Sequence, residues 1–226
     1  KLYLAQQDLA SAEKEFRRAR EAGISASTVN PLIARTLLSQ REYQRVLDEL
    51  PAPAENAPES ATLQAMRATA ILGLGRKDEA REELQRALKK APDNAEVHLA
   101  LAQLALADGD REKAMRDLDQ ALLIDPRHRD SLLLKGDLLR TAGKPAEAAV
   151  VYREVLRIDP RHSSTRLALA GIAISDNKLE EARKEVDAAL KITPGSVQAR
   201  YTQALIDFRE KKTERARDSL ASVLKV

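Results

Sequence analysis

Cysteine and tryptophan are both absent from this chain. Without thiols the protein can form no disulfide, zinc–thiolate site or iron–sulfur cluster, and it has no cysteine nucleophile. Aromatic residues make up only 3% of the 226 residues against 43% hydrophobic residues, so the apolar mass is mostly alanine and leucine. Together with 32% charged residues, this composition is typical of packed helices rather than of a β-sandwich.

Long apolar runs and runs of one charge are missing as well. No stretch approaches the roughly eighteen consecutive apolar residues of a membrane span, so we expect no transmembrane segment. The 38 basic and 35 acidic residues give a net charge of +3 without a basic arm. The chain opens at Lys1 without an initiator methionine or a signal-like segment, so we expect it to be a piece of a longer protein.

Proline and small residues recur at a spacing of 34 residues. The proline column is Pro58, Pro92, Pro126, Pro160 and Pro194. Two columns of small residues are Ala34, Ala68, Ala102, Gly136, Ala170, Ala204 and Ala12, Val46, Ala80, Ala114, Ala148, Ala182, Ala216. A bulky column is Phe16, Leu50, Leu84, Leu118, Tyr152, Val186 and Leu220. Small residues allow two helices to approach closely, bulky residues fill the space beside them, and proline comes where a helix ends.

Glycine shares this spacing at Gly75, Gly109 and Gly143, between the two helices predicted for each unit. A helical hairpin of 34 residues with these columns resembles the tetratricopeptide repeat (TPR). The resemblance implies an all-α fold, a right-handed superhelix of antiparallel helix pairs, with the first helix of every pair on the concave face. It predicts one TPR solenoid over 1–226, with units at 1–26 (partial), 27–60, 61–94, 95–128, 129–162, 163–196 and 197–226.

Two departures from the repeat stand out. Pro51 and Pro53 should end the second helix of unit 27–60 about two turns early. The stretch 51–60 is then a loop, either a bend in the solenoid or a surface loop without a mechanical role. The last helix ends apolar, at Val223-Leu224-Lys225-Val226, and a solenoid needs covered end faces. We therefore expect the native protein to continue in both directions or to pair end to end with a second copy.

Motifs for catalysis or cofactor binding are incomplete. Gly73-Leu74-Gly75 lacks the third glycine of a dinucleotide loop, and in Gly143-Lys144-Pro145 proline replaces the Ser or Thr of a phosphate loop. His128 and His162 occupy equivalent turns, about one helix-packing distance apart and thus too far for one zinc ion, so we interpret them as solvated turn residues. We predict no catalytic, cofactor or metal site and no enzyme activity.

Function is therefore expected in the concave groove, where the TPR family binds peptides, helices or partner domains. The resemblance assigns its floor to the columns that contain Leu38, Leu72, Leu106, Arg140, Ile174, Phe208 and Leu99, Leu133, Leu167, Tyr201, with Arg35, Thr69, Gln103, Asp137 and Gly171 between them. An apolar stripe with few polar interruptions suits an amphipathic helix or an apolar extended segment of a protein partner. The alternative is that these leucines are buried against the adjacent repeat.

Other TPR ligands fit the sequence less well. The Lys, Asn and Arg set that grips acidic chaperone C-termini in this family is missing, and so is the asparagine ladder of members joined to sugar-transferring enzymes. A nucleic-acid partner would need a basic groove with stacking surfaces, which Arg35 and Arg140 with Tyr201 and Phe208 do not provide. We expect a protein or peptide partner and no nucleic acid.

Three N-terminal segments, 1–19, 31–35 and 43–50, resemble long TPR lipoproteins of Gram-negative bacteria that accompany the PEP-CTERM protein-sorting and exopolysaccharide system. This resemblance implies a periplasmic, non-catalytic scaffold in envelope export, held to a membrane by an N-terminal lipid outside the present sequence. The alternative is a cytosolic regulatory module of a larger signalling or DNA-binding protein. The sequence upstream of Lys1 discriminates between the two.

Overall fold

The computed structural model describes residues 9–50 and 60–223, which form thirteen helices and no strand. In chain order the helices are α1 (Leu9–Glu21), α2 (Ala26–Ser39), α3 (Tyr43–Glu49), α4 (Ser60–Gly73), α5 (Lys77–Lys90), α6 (Ala95–Ala107), α7 (Arg111–Ile124), α8 (Arg129–Thr141), α9 (Pro145–Ile158), α10 (Ser163–Ser175), α11 (Leu179–Ile192), α12 (Val197–Arg209) and α13 (Thr213–Val223). The all-α prediction is confirmed. None of these helices is long and apolar enough to cross a membrane.

The chain divides into two compact units, unit 1 (residues 1–131) and unit 2 (residues 132–226). Apart from 51–59, which lies outside the described residues, turns of three and four residues alternate between the helices, and turns this short place neighbouring helices antiparallel. In unit 1, α4 packs on α5, α6 packs on α7, and α4 also contacts α6. Unit 2 repeats the pattern with α10 on α11, α12 on α13, and α10 against α12. Each unit is thus an array of helical hairpins, as the columns predict.

The columns of small residues lie at the closest helix contacts. In both units the column that begins at Ala12 is buried: Ala12, Val46, Ala80, Ala114, Ala148, Ala182 and Ala216. The bulky column packs beside it, with Leu50, Leu84, Leu118, Tyr152 and Val186 all buried. Small side chains let the backbones approach, and the bulky side chains then fill the remaining volume at the density of a protein core.

The helix that precedes Pro51 is short, as predicted. Helix α3 has 7 residues, whereas α5 has 14. Proline has no amide proton and pushes the residue before it out of the helical region, which explains the early end. The prolines themselves and most of the predicted loop at 51–60 lie outside the described residues, so the bend proposed there stays a prediction.

The two turn histidines differ from the expectation of solvated side chains. His162 is the N-cap of α10, and its ring accepts a hydrogen bond from the Thr165 backbone amide. His128 contacts the Ser131 hydroxyl through Nδ1, at 2.7 Å. Both side chains are part-buried because they satisfy polar groups at the start of a helix, where the first amides have no intrahelical partner.

The turn inside each hairpin needs a left-handed backbone. Gly75, Gly109 and Gly143 adopt φ of 80°, 84° and 76°, as the glycine spacing predicts. At the same register Arg41 and Lys211 adopt φ of 61° and 62°, a conformation that is costly for residues with a Cβ atom. Asn177 stands there as well, with φ of 59°, and asparagine tolerates this region better.

We predict that Arg41→Gly and Lys211→Gly each raise the free energy of unfolding by about 1 kcal/mol, because glycine relieves the left-handed strain. Asn177→Gly should raise the free energy of unfolding by less. Urea denaturation followed by circular dichroism measures all three. The explanation fails if neither substitution at Arg41 or Lys211 stabilises the chain.

In one hairpin of unit 2 the bulky column has its largest residue, Tyr152, and the small-residue column has its smallest, Gly136. A Cβ atom added at Gly136 would lie 2.6 Å from the Tyr152 ring, and Tyr152 is fully buried. In unit 1 the equivalent positions hold Ala102 and Leu118, which are also fully buried. The tyrosine ring therefore occupies the space that the alanine methyl group fills in the ordinary repeat.

We predict that Gly136→Ala destabilises the chain by roughly 1–3 kcal/mol through overpacking against a buried ring. Combining it with Tyr152→Leu recreates the Ala–Leu pair, so the double variant should be more stable than the sum of the single effects allows. A double-mutant cycle by chemical denaturation measures this coupling. If the effects of the two single substitutions on stability are strictly additive, this coupling between Gly136 and Tyr152 is contradicted.

Candidate functional site

All thirteen residues predicted to line the groove lie on the first helices of hairpins, namely α2, α4, α6, α8, α10 and α12. The buried ones are Leu99, Leu167 and Ile174. The part-buried ones are Arg35, Leu38, Leu72, Gln103, Leu106 and Leu133. The exposed ones are Asp137, Arg140, Tyr201 and Phe208. Burial of the first three favours a packing role for them, whereas binding by the others stays a prediction.

In unit 1 the polar residues of this set bind the chain's own side chains. The Arg35 guanidinium pairs with Glu96 at 2.9 Å and with Asp130 at 3.4 Å, so it links α2 to α6 and to the start of α8. Glu96 also lies 3.4 Å from His128 Nε2. The Gln103 side-chain oxygen accepts a hydrogen bond from Thr69, at 2.8 Å.

Asp130 shows how tightly this cluster is coupled. Burial of the carboxyl group opposes its ionisation, but the nearby positive charges of Arg129 and Arg35 outweigh burial and lower its pKa. The Asp130 carboxyl group is therefore ionised at neutral pH. Arg35 and Gln103 thus have partners within the chain, and binding of a ligand by them stays a prediction.

Unit 2 has a hollow of about 720 Å³ on its first helices. Helix α10 forms its floor, α8 contributes one side, and α12 contributes Gln198. The lining residues are Asp137, Arg140, Gly143, Pro145, Ser164, Leu167, Ala168, Gly171, Ile172, Ser175 and Gln198. A volume of this size is in the range of ligand-binding clefts.

Three of the thirteen predicted residues, Asp137, Arg140 and Leu167, come together at this hollow. Sequence reasoning placed Gly171 in the groove without giving it a role. It missed seven lining residues: Gly143, Pro145, Ser164, Ala168, Ile172, Ser175 and Gln198. Along α10 the residues at 164, 168, 171 and 175 are all small and follow the spacing of one helix face. This pattern was the available signal for the missed small residues of α10.

Gly171 opens the hollow. The residues at the same register in the preceding hairpins are Arg35, Thr69, Gln103 and Asp137, each with a longer side chain. A Cβ atom added at Gly171 would meet nothing within 4 Å. The chain's own packing therefore does not require glycine at this position.

Asp137 is held in place from the second helix of its hairpin. The buried Tyr152 of α9 reaches past Gly136 and donates its hydroxyl proton to Asp137 Oδ1, at 2.6 Å. Arg140 lies one turn further along α8, with its guanidinium 3.8 Å from the Asp137 carboxylate. A buried tyrosine thus anchors an exposed pair of opposite charges. The sequence signals this arrangement by placing a glycine, Gly136, in the small-residue column and a tyrosine, Tyr152, in the bulky column of the same unit.

Helix α12 continues the exposed surface with two aromatic side chains. Tyr201 is 57% exposed and Phe208 is 65% exposed. In the preceding hairpin the equivalent residues Leu167 and Ile174 are only 7% and 5% exposed. The side chains at these two positions are therefore open on α12, whereas they are covered on α10.

The hollow is lined by groups that can form hydrogen bonds. Its described lining residues include Ser164 and Ser175 but no His, Cys or Lys. They offer a carboxylate, a guanidinium, two hydroxyls and a side-chain amide, which together donate and accept hydrogen bonds.

Comparisons with known proteins agree with the hairpin array. Tetratricopeptide repeat family models match residues 32–95, 72–138 and 139–206. The chain belongs to the tetratricopeptide repeat family. No curated protein sequence matches this TPR chain.

Solved TPR structures resemble the chain at low sequence identity. A Pseudomonas aeruginosa pilF structure gives a TM-score of 0.67 at 20% identity and covers 74% of this chain and 77% of its own. MamA (residues 41 to the end) from Desulfovibrio magneticus RS-1 gives 0.64 at 19% identity, with 73% and 93% covered. YrrB, described as a TPR protein with an unusual peptide-binding site, gives 0.61 at 15% identity, with 81% and 91% covered. At these identities the likeness shows the fold alone.

The environment of Tyr152 predicts an alkaline titration. Burial first, and then the hydrogen bond to Asp137, raise the pKa of Tyr152 to about 12, against about 10 in an unfolded chain. Because the folded pKa lies above the unfolded one, the stability that this hydroxyl contributes is complete below pH of about 10 and is lost as the pH rises through about 12.

We predict that Tyr152→Phe is less stable than the wild type at neutral pH and that this difference shrinks over that alkaline window. Urea denaturation at several pH values measures the difference. Absorbance titration should show that Tyr152→Phe has lost the tyrosine that ionises last. If the variant instead loses a step near the ordinary tyrosine pKa, the anchoring of Asp137 by Tyr152 is contradicted.

Proposed function

We propose that this TPR chain is a non-catalytic scaffold that binds a protein partner at the hollow of unit 2. The observation that carries the proposal is the contrast between the two units. Arg35 and Gln103 of unit 1 are part-buried and engaged with Glu96, Asp130 and Thr69. Asp137 and Arg140 of unit 2 also have partners in their own hairpin, but their side chains are exposed beside an open hollow. TPR arrays are generally protein-interaction modules, and YrrB is described as having a peptide-binding site.

The test of this proposal is a charge reversal at an exposed position of the hollow. Arg140→Glu should leave the helicity unchanged, because Arg140 is exposed, and should weaken partner capture at least about tenfold, the effect of losing 1.4 kcal/mol. The measurement is quantitative capture from an extract of the source organism, with mass spectrometry of the bound proteins. Leu133→Glu, on the same helix, should have the same effect.

Arg157→Glu is the matched control, since Arg157 lies on α9 of the same hairpin, is exposed, and does not line the hollow. Leu106→Glu, at a residue that the TPR resemblance assigns to the groove floor, should also weaken capture and reports on unit 1. Partners that bind Arg140→Glu and Leu133→Glu as well as they bind the wild type would refute binding at this surface.

We further propose that the scaffold works in the bacterial envelope, in exopolysaccharide export and PEP-CTERM sorting. The support is the resemblance of segments 1–19, 31–35 and 43–50 to TPR lipoproteins of that system. The periplasmic location and the lipid anchor belong to the same proposal. End-to-end pairing with a second copy also stays a prediction, which the sedimentation behaviour of the chain can test.

The sequence encoded upstream of Lys1 tests the location. A signal peptide followed by a cysteine that accepts lipid is the expected result, and membrane fractionation of the full-length protein should then recover it from the envelope. A helix-turn-helix or kinase domain upstream would overturn the envelope proposal and favour the cytosolic regulatory module.

A further inference from the structure

Two contacts between successive hairpins are joined by an arginine that pairs with an acidic residue. Arg81 of α5 pairs with Asp108, the C-cap of α6, with 2.9 Å between Nη2 and Oδ2. Arg183 of α11 pairs with Glu210, the C-cap of α12, at 2.6 Å, and with Asp207, at 2.7 Å. The two arginines stand at the same position of the 34-residue repeat, and so do the two C-caps. In both places an arginine on the second helix of one hairpin thus binds the end of the next first helix.

The contact between α9 and α10 keeps the acid but lacks the arginine. Asp176, the C-cap of α10, stands at the position of Asp108 and Glu210 in the repeat. The arginine position holds Ala149 of α9. The alanine side chain has no donor that could reach a carboxylate, so the arginine pair of the other two contacts is missing here.

Asp176 therefore has fewer cationic partners than its equivalents. Asp108 and Glu210 each pair with a lysine and an arginine. Among the residues that the structure describes, Asp176 pairs with Lys178 alone, at 3.0 Å. A carboxylate has about four acceptor sites, so Asp176 can accept a second cation.

A cavity of about 140 Å³, which we call the Ala149 cavity, lies where the arginine is missing. Its walls come from α9, from α10 and from the start of α11, and they include Ala149, Ala173 and Asp176. In the next contact these three positions hold the arginine and its two acids. The volume is several times what one water molecule needs. The Ala149 cavity is distinct from the hollow of the proposed function, with which it shares only Ile172.

The walls of the Ala149 cavity suit a guanidinium group on a short alkyl stem. Leu169 and Ala173 offer apolar surface to the stem. Asp176 offers a carboxylate, which a planar guanidinium can bind with two parallel N–H donors. Arg153 also lines the cavity, but its guanidinium pairs with Glu181, at 3.2 Å, so these two charges compensate each other.

We propose that the Ala149 cavity binds an alkylguanidinium group of another molecule, in the place that an arginine of the chain itself takes in the other two contacts. The group belongs either to an arginine side chain of a protein or to a free small guanidine. The site lies beside the second helices α9 and α11 and goes beyond the proposed scaffold function.

The probe is ethylguanidinium, which is the group that arginine adds to the side chain of alanine. Titration of the isotope-labelled chain should give saturable shifts of the amide resonances of Ala149, Ala173 and Asp176. The dissociation constant should lie in the millimolar range, because so small a ligand has few atoms to bind. Ethylurea, a neutral analogue of similar shape, should give no such shifts.

Two variants test the charge and the space separately. Asp176→Asn removes the carboxylate and should weaken ethylguanidinium at least about tenfold. Ala149→Arg supplies the missing side chain from within the chain, so it should abolish binding and raise the melting temperature. If Ala149→Arg does not fold, Asp176→Asn decides.

Each variant has a matched control. Val150→Arg adds the same side chain at the neighbouring position of α9, which is exposed. Asp187→Asn removes one carboxylate from an exposed position of α11. Neither residue lines the Ala149 cavity. Both variants should bind ethylguanidinium as the wild type does, and Val150→Arg should not raise the melting temperature.

Nα-acetylarginine amide distinguishes the two sources of the group. If it binds at least as tightly as ethylguanidinium, the cavity accepts an arginine side chain of a protein. If ethylguanidinium binds and the arginine derivative does not, the ligand is a free small guanidine.

Three results would overturn the inference. They are the absence of saturable shifts, equal binding of ethylurea, and binding to Asp176→Asn or to folded Ala149→Arg that is as tight as to the wild type. None of them affects the scaffold function, which capture by Arg140→Glu tests at the hollow.

Discussion

The close approach of helices at small residues is the constraint on which this molecule depends. A single hairpin is too thin to bury its own apolar face, so it is stable only when a neighbouring hairpin covers that face. Alanines such as Ala80, Ala114 and Ala182 are fully buried, and small side chains at these positions let the packed helices approach closely. The same constraint limits the candidate site, because the first helices expose only those positions that are not used in packing against other helices.

The hairpins were predictable because they arise from local, repeated rules. The 34-residue columns gave the helix pairs, the glycine turns and the early end of α3 before Pro51, and the structure has all three. Columns describe each repeat by itself, however, and they cannot show contacts that skip a repeat. Arg35 pairs with Glu96, 61 residues away. That reach depends on the length and direction of the side chain, which no spacing in the sequence encodes.

The same limit explains the mixed outcome for the predicted groove. Whether a leucine faces a partner or the next hairpin depends on the helix that follows it, not on its own register. Leu167 and Tyr201 share a register, yet one is buried and the other is open. His128 and His162 also differ from expectation, because composition gives no sign that a turn side chain will satisfy the start of a helix.

Tyr152 connects the fold to the site in one step. An ordinary repeat has alanine on the first helix and leucine on the second, and that pair has no polar atom that can reach the exposed side of the first helix. Exchanging both members, to Gly136 and Tyr152, keeps the summed volume close to constant and carries a hydroxyl group through the core to Asp137. The hydroxyl fixes the carboxylate of an exposed residue that would otherwise move freely. The position of Asp137 is thus set by core packing, and a substitution in the core of this hairpin acts on the surface of unit 2.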